Sequence, residues 1–230
     1  MRKINYCFLF FFILSWPALP YCAELPDAPF YRAATIDGPT GLLTIPAATV
    51  LDNGYYTLAA HKYLFKCNVG LLPGLELGIR GNAEQYNKDL EQEHRIIPHG
   101  KFNFLSSSQY PLSASFGFYN KDLYLSFDKL LVNFYNIYAT AGLKFQENGR
   151  WRIICGVSKT FARTQIVFDK AGETYNLGYR IMLSPKIRLE FGLINLQDYR
   201  ELDFDNFTFG LNFSELLFKP LLEKWPWSTN

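Results

Sequence analysis

Three segments near the C-terminus of this chain alternate apolar and polar residues with a period of two. Segment 206–213 places phenylalanine or leucine at every odd position and asparagine, threonine or glycine at every even one. Segments 174–183 and 186–193 follow the same rhythm. A β-strand places alternate side chains on opposite faces. Because a membrane-spanning barrel needs an apolar outer face and a polar inner face, the pattern predicts a transmembrane β-barrel.

Runs of strand character recur along most of the chain and are separated by turn residues such as Asn148-Gly149. We predict strands at about 40–46, 54–66, 69–82, 95–105, 111–119, 122–127, 132–145, 150–161, 163–169, 173–183, 186–194 and 205–213. The two shortest are 122–127 and 163–169, and without them the barrel would have ten strands. The predicted fold class is therefore all-β, an antiparallel transmembrane β-barrel of about 10–12 strands.

The lengths of the connections predict which mouth of the barrel faces outwards. If the first strand begins in the periplasm, the two longest polar connections, 83–94 and 195–204, fall outside the cell. The tight link at Ser184 and Pro185 then falls on the periplasmic side. Long outer loops and short inner turns are typical of bacterial outer-membrane barrels.

The first 23 residues predict a signal peptide. Arg2 and Lys3 precede the apolar run 6–16, which is too short to span a bilayer as a helix. We expect cleavage near Cys22 or Ala23, with lipidation of Cys22 as an alternative. This leader predicts secretion and a final location in the outer membrane of a Gram-negative cell envelope.

The remaining chain divides into three predicted parts. Residues 24–38 show no periodicity and predict an irregular segment that could occupy the lumen, and 39–213 form the barrel. Residues 214–230 form a C-terminal tail. Its Trp225 and Trp227 suit the inner membrane interface, and a disordered end is the alternative.

Composition excludes one class of function and supports another. The chain has 23 basic and 21 acidic residues, and the predicted leader holds two of the basic ones, so the mature chain is formally neutral. This argues against a nucleic-acid partner, for which a basic face is expected. Aromatic residues make up 17% of the chain, which suits the aromatic girdles of a membrane barrel.

Cys67 and Cys155 could pair, but the apolar parity of Cys155 favours free thiols.

Alternation also assigns individual side chains to the two faces. The predicted lipid side contains Leu58, Leu75, Leu77, Ile79, Phe116, Phe118, Ile137, Leu143, Ile153, Val157, Leu189, Phe191, Leu211 and Phe213. The candidate lumen-lining residues are Glu76, Arg80, Lys101, Lys144, Arg152, Arg180, Arg188 and Glu190. With Lys186, the basic residues outnumber the acidic ones, which would favour anionic solutes or acidic sugars. The alternative is a structural network of paired charges in a small, plugged barrel.

The sequence offers little for catalysis or metal binding. Serines 106–108 follow His99 at a predicted turn, where local hydrogen bonding is their ordinary role. The loop segment 91–94 contains Glu91, Glu93 and His94 without a recognisable metal-ligand spacing, so we interpret it as solvated charge. No phosphate-binding or dinucleotide glycine signature is present. We therefore predict no enzymatic activity, no metal and no cofactor.

Segment 38–48, with the pattern Gly-Leu-x-x-x-Pro-x-Ala, is followed by a glycine that opens the next predicted strand in 51–56. This resembles the opening motif of YjbH-like outer-membrane proteins, and 72–78 and 99–102 resemble later blocks of that family. The resemblance covers about residues 36–105. It implies a single outer-membrane barrel linked to exopolysaccharide production or export, with no catalytic residues to carry over.

Four hypotheses follow. The first is a non-enzymatic envelope protein of YjbH type, whose partners would be outer-membrane lipid and an extracellular polysaccharide or its export proteins. The second is a narrow, anion-preferring, porin-like pore, which bilayer conductance would reveal. The third is an outer-membrane lipid hydrolase that depends on His99. The fourth is a soluble lipocalin-type barrel, in which the apolar face would point inwards.

Overall fold

Twelve antiparallel strands close into a barrel in which each strand pairs with its neighbours in sequence and β1 pairs with β12. The computed structural model describes residues 33–36, 38–82, 96–106, 112–132, 136–197 and 204–218. The strands are β1 Tyr55–His61, β2 Leu64–Leu72, β3 Leu75–Asn82, β4 Ile96–Leu105, β5 Ser113–Tyr119, β6 Asp122–Val132, β7 Ile137–Phe145, β8 Trp151–Phe161, β9 Thr164–Ala171, β10 Thr174–Met182, β11 Ile187–Leu193 and β12 Phe207–Leu216. The predicted fold class is confirmed, at the upper end of its strand range.

The two faces of the barrel have opposite chemistry. On the outside, Phe65 is 57% exposed and Leu211 is 44% exposed. On the inside, Asn68 and Glu190 are fully buried. Apolar side chains outwards and polar ones inwards suit a lipid surround, so the lipocalin-type alternative with reversed faces is wrong. Within the described ranges, no helix is long and apolar enough to cross a bilayer.

The start of the barrel differs from the prediction. Residues 40–46 are not a strand and make only isolated bridges, Ala34 with Thr40 and Gly41 with Pro46. The predicted strand 54–66 contains both β1 and the start of β2, because the chain reverses at Lys62, whose φ is 50°. The barrel therefore spans Tyr55 to Leu216 instead of 39–213.

Two strands that looked short in the sequence are full strands. β6 continues from the predicted end at residue 127 to Val132, and β9 continues from 169 to Ala171. The ten-strand alternative is therefore wrong. Both cysteines in the described chain, Cys67 and Cys155, are free thiols, as the sequence favoured.

Residues 33–36 and 38–51 fill the interior of the barrel, and we call them the plug. The plug folds on itself, with the Gly41 N–H donating to the Ala33 carbonyl at 3.0 Å. A Cβ at Gly41 would lie 2.5 Å from the backbone nitrogen of Ala47, so only glycine fits without a backbone shift. The expectation that an irregular segment occupies the lumen therefore holds for the described part of 24–38, and the plug extends well beyond residue 38.

One side of the plug is apolar. Its cluster joins plug residues to two wall residues, and its members are Leu42, Leu43, Ile45, Ile154 and Val167. The Leu43 side chain lies against the inward-facing backbone of Gly178 on β10 and Gly192 on β11. At Gly192 a Cβ would lie 2.9 Å from the Leu43 side chain, so glycine there leaves room for the plug, whereas at Gly178 a Cβ would make ordinary contacts of 3.4–3.5 Å.

The connections define the two mouths. The strand ends that flank the long connections 83–95 and 194–206 lie at the same end of the barrel, which we call the long-loop mouth. That this mouth faces outwards stays a prediction from the connection lengths. The short link 183–186 lies at the opposite end. The predicted signal peptide, residues 24–32, the acidic loop segment 91–94 and the tail from residue 219 lie outside the described residues.

Candidate functional site

All eight candidate lumen residues lie on the inward face of their strands. They are Glu76 and Arg80 on β3, Lys101 on β4, Lys144 on β7, Arg152 on β8, Arg180 on β10, and Arg188 and Glu190 on β11. Lys186, which the sequence counted with them, instead lies 56% exposed in the link between β10 and β11 and pairs with Glu215. Three inward carboxylates were missed, those of Asp122, Asp128 and Asp169, although each shares the parity of inward neighbours.

Glu76 and Lys101 form the centre of the contacts that hold the plug. Both side chains are fully buried, and the Lys101 Nζ lies 3.5 Å from Glu76 Oε2. The Glu76 carboxylate accepts the Thr40 N–H at 2.8 Å, the Thr40 hydroxyl at 2.5 Å and the Leu51 N–H at 2.9 Å. Lys101 donates to the carbonyls of Thr40 at 2.8 Å and Thr49 at 2.6 Å. The pair thus binds both ends of one plug turn.

Asp128 and Asn103 hold the last turn of the plug. The Asp128 carboxylate accepts the N–H groups of Ala48 at 2.7 Å and Thr49 at 3.1 Å, and the wall hydroxyl of Thr140 at 2.6 Å. The Asn103 amide donates to the Ala48 carbonyl at 2.9 Å. Both main-chain polar groups of Ala48 are therefore satisfied by wall side chains.

The opposite wall binds the middle of the plug. Asp169 accepts the Thr44 N–H and the Thr44 hydroxyl, both at 2.8 Å. The Asn176 amide donates to the same Asp169 carboxylate at 2.8 Å. Arg180 donates to the carbonyls of Gly41 at 2.8 Å and Leu42 at 2.5 Å.

A third wall sector binds the start of the plug through a chain of buried charges. Arg180 pairs with Glu190, and Glu190 lies 2.9 Å from the His61 ring nitrogen Nε2. The other His61 nitrogen is 2.7 Å from the Lys66 Nζ, which donates to the Thr35 carbonyl at 2.5 Å. The barrel wall therefore recognises the plug largely through its main chain, as Ala34 with Asn212 also illustrates.

The inward charges of the described strands do not cancel. The cations are Lys66, Arg80, Lys101, Lys144, Arg152, Arg180 and Arg188, and the carboxylates are Glu76, Asp122, Asp128, Asp169 and Glu190. Four of each belong to the buried interior around the plug, where charge is balanced. Arg80, Lys144 and Arg152 lie towards the long-loop mouth with Asp122 alone, so the excess of two positive charges lies there.

Above the plug, a recess of about 270 Å³ lies at the long-loop mouth. Its lining is Ile36, Thr44, Lys144, Arg152, Ile154, Ala171, Thr174, Asn176, Ile194 and Asn195. Two lining residues, Ile36 and Thr44, belong to the plug, and the others belong to the wall or its connections. No carboxylate of a described residue lines the recess, whereas two cations do.

An aromatic ring joins the cations of this mouth. The Arg80 guanidinium donates to the Tyr119 hydroxyl and lies 5.5 Å from the ring centroid. The Lys144 Nζ lies 5.4 Å from the same centroid and 3.1 Å from an Asp122 oxygen. Cations within about 6 Å of an aromatic face are attracted to it. This arrangement fixes two of the three mouth cations in place.

The hydrolase hypothesis finds no assembled site among the described residues. The His99 ring bonds to the Asn68 amide inside the lumen. Ser106 follows the last residue of β4 and lies seven residues after His99, which is about 23 Å along an extended strand. Serines 107 and 108 and His94 lie outside the described residues. Within the described chain, no group of three potential metal ligands occurs.

No family model and no curated protein matches this chain. Similar solved structures include a KdgM porin, with a TM-score of 0.45, 9% identity, and coverage of 69% of this chain and 96% of that one. A mutant of the Rh. blastica porin has a TM-score of 0.37 and 8% identity, and Pseudomonas putida OprB has 0.35 and 10%. For each of these two, the match covers 66% of this chain and 55% of the other. The first two are named as porins, and the likeness of all three concerns the barrel fold alone.

Proposed function

We propose that this protein is a porin-like, anion-preferring pore of the outer membrane that its own plug holds closed at rest. This is the second of the hypotheses from the sequence, with a closed resting state added. The observation that carries it is the charge of the long-loop mouth, where the inward side chains of the described strands are the cations Arg80, Lys144 and Arg152 and one carboxylate, Asp122. An excess of one charge sign in low-dielectric walls concentrates ions of the opposite sign.

The contacts of the plug support a closed state that can open. The plug is joined to the wall by hydrogen bonds, many of them to charged wall side chains, together with one apolar cluster of five residues. Polar side chains such as Glu76, Lys101 and Asp169 would line the lumen if the plug moved away. A polar lumen wall can be hydrated, whereas the apolar core of a soluble barrel cannot.

The test is conductance of the refolded full chain in planar lipid bilayers. We expect the native protein to remain mostly closed and the Gly41→Ala variant to open more often. Alanine at residue 41 collides with the plug's own backbone at Ala47 and leaves the wall unchanged. The matched control is Gly178→Ala on the wall, where a Cβ makes ordinary contacts of 3.4–3.5 Å with Leu43.

Selectivity is read from the reversal potential across a salt gradient. The open channel should prefer chloride to potassium, and Arg152→Gln should reduce that preference. If the Gly41→Ala protein stays heat-modifiable in gels, and so folded, but conducts no more than the native protein, the pore hypothesis is wrong. If the open channel prefers cations, the predicted preference for anions is wrong, and the pore hypothesis itself stands.

The link with exopolysaccharide stays a prediction from the sequence. The first block of the YjbH-like resemblance, 38–48, lies in the plug, where it makes the main-chain contacts with Glu76, Lys101 and Asp169 described above. The later blocks, 72–78 and 99–102, lie around β3 and on β4. Deleting the gene and measuring secreted polysaccharide tests that link. An unchanged yield in the deletion strain would remove it and leave the pore hypothesis unaffected.

A further inference from the structure

The recess at the long-loop mouth has the features of a ligand site. Lys144 on β7 and Arg152 on β8 lie directly opposite each other in the strand register. Like charges in directly opposed positions are destabilising unless an anion lies between them. Asp122 neutralises Lys144 at 3.1 Å, whereas Arg152 makes no ion pair with a described residue. Among the described residues, one positive charge therefore remains uncompensated at the recess.

Arg152 is an exposed residue whose aliphatic part lies close to a neighbouring turn. A Cβ at Gly172 would lie 3.1 Å from the Arg152 Cδ, so the aliphatic part of the arginine packs closely on the turn between β9 and β10. Gly172 has a φ of 67°, which fixes that turn. A planar guanidinium presents paired N–H donors that match the two oxygens of a carboxylate. Phosphate oxygens match the same donors, but a carboxylate carries the one negative charge that balances one uncompensated cation.

The remaining lining fits a small polyhydroxylated molecule. Thr174 and Asn195 supply a hydroxyl and an amide group, and Ile154 and Ile194 supply apolar surface. The Asn176 amide is already bonded to Thr44 and Asp169 and helps to shape the recess. The volume of about 270 Å³ lies just below the range of roughly 300–1,000 Å³ that is usual for drug-sized ligands. That size suits one sugar unit better than an oligomer.

We propose that the recess binds one carboxylate-bearing sugar unit, a hexuronate, and that it does so only while the plug is in place. The proposal rests on the proposed function, because it assigns a solute to the same anion-preferring mouth. The dependence of binding on the plug follows from the lining, since Ile36 and Thr44 of the plug form part of the recess. Thr44 is in turn bound to the wall by Asp169 at 2.8 Å.

A coupling between the ligand and the plug follows. If the ligand binds the closed barrel better than the open one, then ligand binding stabilises the closed state, and opening weakens ligand binding by the same factor. Occupancy by the sugar acid would therefore reduce the open fraction of the channel.

The test is isothermal titration calorimetry of the full refolded chain in detergent micelles at fixed ionic strength. The probes are glucuronate, glucose and inorganic phosphate. We expect glucuronate to bind at least about tenfold more tightly than glucose, because a hydrogen-bonded charge pair is lost with the neutral sugar. Arg152→Gln should weaken glucuronate binding by about tenfold or more, whereas Arg163→Gln, at the opposite mouth, should leave it unchanged.

The two glycine variants test whether glucuronate binding depends on the plug. Gly41→Ala should weaken glucuronate binding, and Gly178→Ala should not. Unchanged affinity in a Gly41→Ala protein whose conductance has risen would overturn the role of the plug. Phosphate that binds as tightly as glucuronate would overturn the sugar assignment, and glucose that does so would overturn the role of Arg152.

The two proposals fail in different ways. A barrel that binds glucuronate through Arg152 but never conducts in any variant contradicts only the pore. A barrel that conducts anions but gives no heat of binding with glucuronate contradicts only the recess proposal.

Discussion

Asp128 and Asp122 face the lumen from the same strand, β6, yet their surroundings differ completely. Asp128 is buried and accepts hydrogen bonds from two plug N–H groups and one wall hydroxyl. Asp122 lies at the long-loop mouth, where its side chain is 21% exposed and pairs with Lys144. The same residue type thus holds the plug at one depth and adjusts the charge of the entrance at another.

This contrast extends to the whole lumen. In the interior, buried charges are balanced, and their remaining lone pairs and protons bind the main chain of the plug. Removing one member of a buried ion pair strongly destabilises a fold, because the other charge stays buried without a partner. At the mouth, charges are hydrated and unbalanced, so their removal changes the local potential more than the stability. The interior is therefore expected to control stability and closure, and the mouth to control selectivity.

The largest expected effect is that of Glu76→Gln. It leaves the fully buried Lys101 without its carboxylate partner and weakens three hydrogen bonds to the plug. We expect a loss of about 3–5 kcal/mol in the free energy of unfolding, measured by urea titration of the barrel in lipid vesicles with intrinsic fluorescence. The double variant Glu76→Gln with Lys101→Met removes both charges and should lose less than the sum of the single variants. Strict additivity would show that the two side chains do not interact.

The pair of aspartates gives the next prediction. Asp128→Asn should lower the free energy of unfolding by about 1–3 kcal/mol, because an amide replaces a buried acceptor of three hydrogen bonds. Asp122→Asn should change it by at most about 1 kcal/mol, because the side chain is partly hydrated. The same urea titration compares them. Equal losses would mean that depth in the lumen does not separate the two regions.

The alternation of side chains explains why much of this barrel could be predicted from sequence. A period of two is a local property, and it assigned every candidate residue from Glu76 to Glu190 to the face where it is found. The turn at Lys62 was missed because neither Lys62 nor Tyr63 is a usual turn residue, although Lys62 adopts a positive φ. Residues 40–46 contain apolar and β-branched residues together with glycine and proline, and this composition predicts a strand that the structure does not form.

The contacts of the plug could not be predicted, because they join residues far apart in the chain. Thr44 bonds to Asp169, 125 positions away, and Ala34 bonds to Asn212, 178 positions away. No local pattern specifies such pairs. The inward position of the carboxylates that the prediction lacks can be predicted from the same alternation, since Asp128 continues the inward parity of Tyr124 and Ser126 on β6. Including Asp122, Asp128 and Asp169 would have reduced the predicted basic excess and placed it at one mouth.

The mouth is expected to affect selectivity instead of stability. Asp122→Asn should raise the preference of the open channel for chloride by about twofold, the effect of one charge some 8 Å away in water. Arg152→Gln should lower it by a similar factor. Reversal potentials of the Gly41→Ala channel in the two backgrounds provide the measurement. Both shifts should shrink as ionic strength rises, because the screening length falls to about 3 Å at 1 M salt. Shifts that persist in 1 M salt would place these charges in a buried constriction.

The smallest loss of stability is expected for the ion pair between Lys121 and Glu147, although its charged atoms lie closer together than those of two other pairs. Lys121 Nζ lies 2.6 Å from a Glu147 oxygen, closer than the 3.1 Å of Lys144 with Asp122 or the 3.5 Å of Lys101 with Glu76. Both side chains of the first pair, however, are more than 60% exposed, at 63% and 61%.

Water already stabilises both of these charges, and holding two long side chains together costs entropy, so Lys121→Ala should change the free energy of unfolding by less than about 1 kcal/mol. The urea titration used for Glu76→Gln gives the comparison, with Glu147→Ala as the reciprocal variant. If Lys121→Ala cost as much as Glu76→Gln, the distance between charged atoms would matter more than their burial. Burial would then no longer separate the interior of this barrel from its mouth.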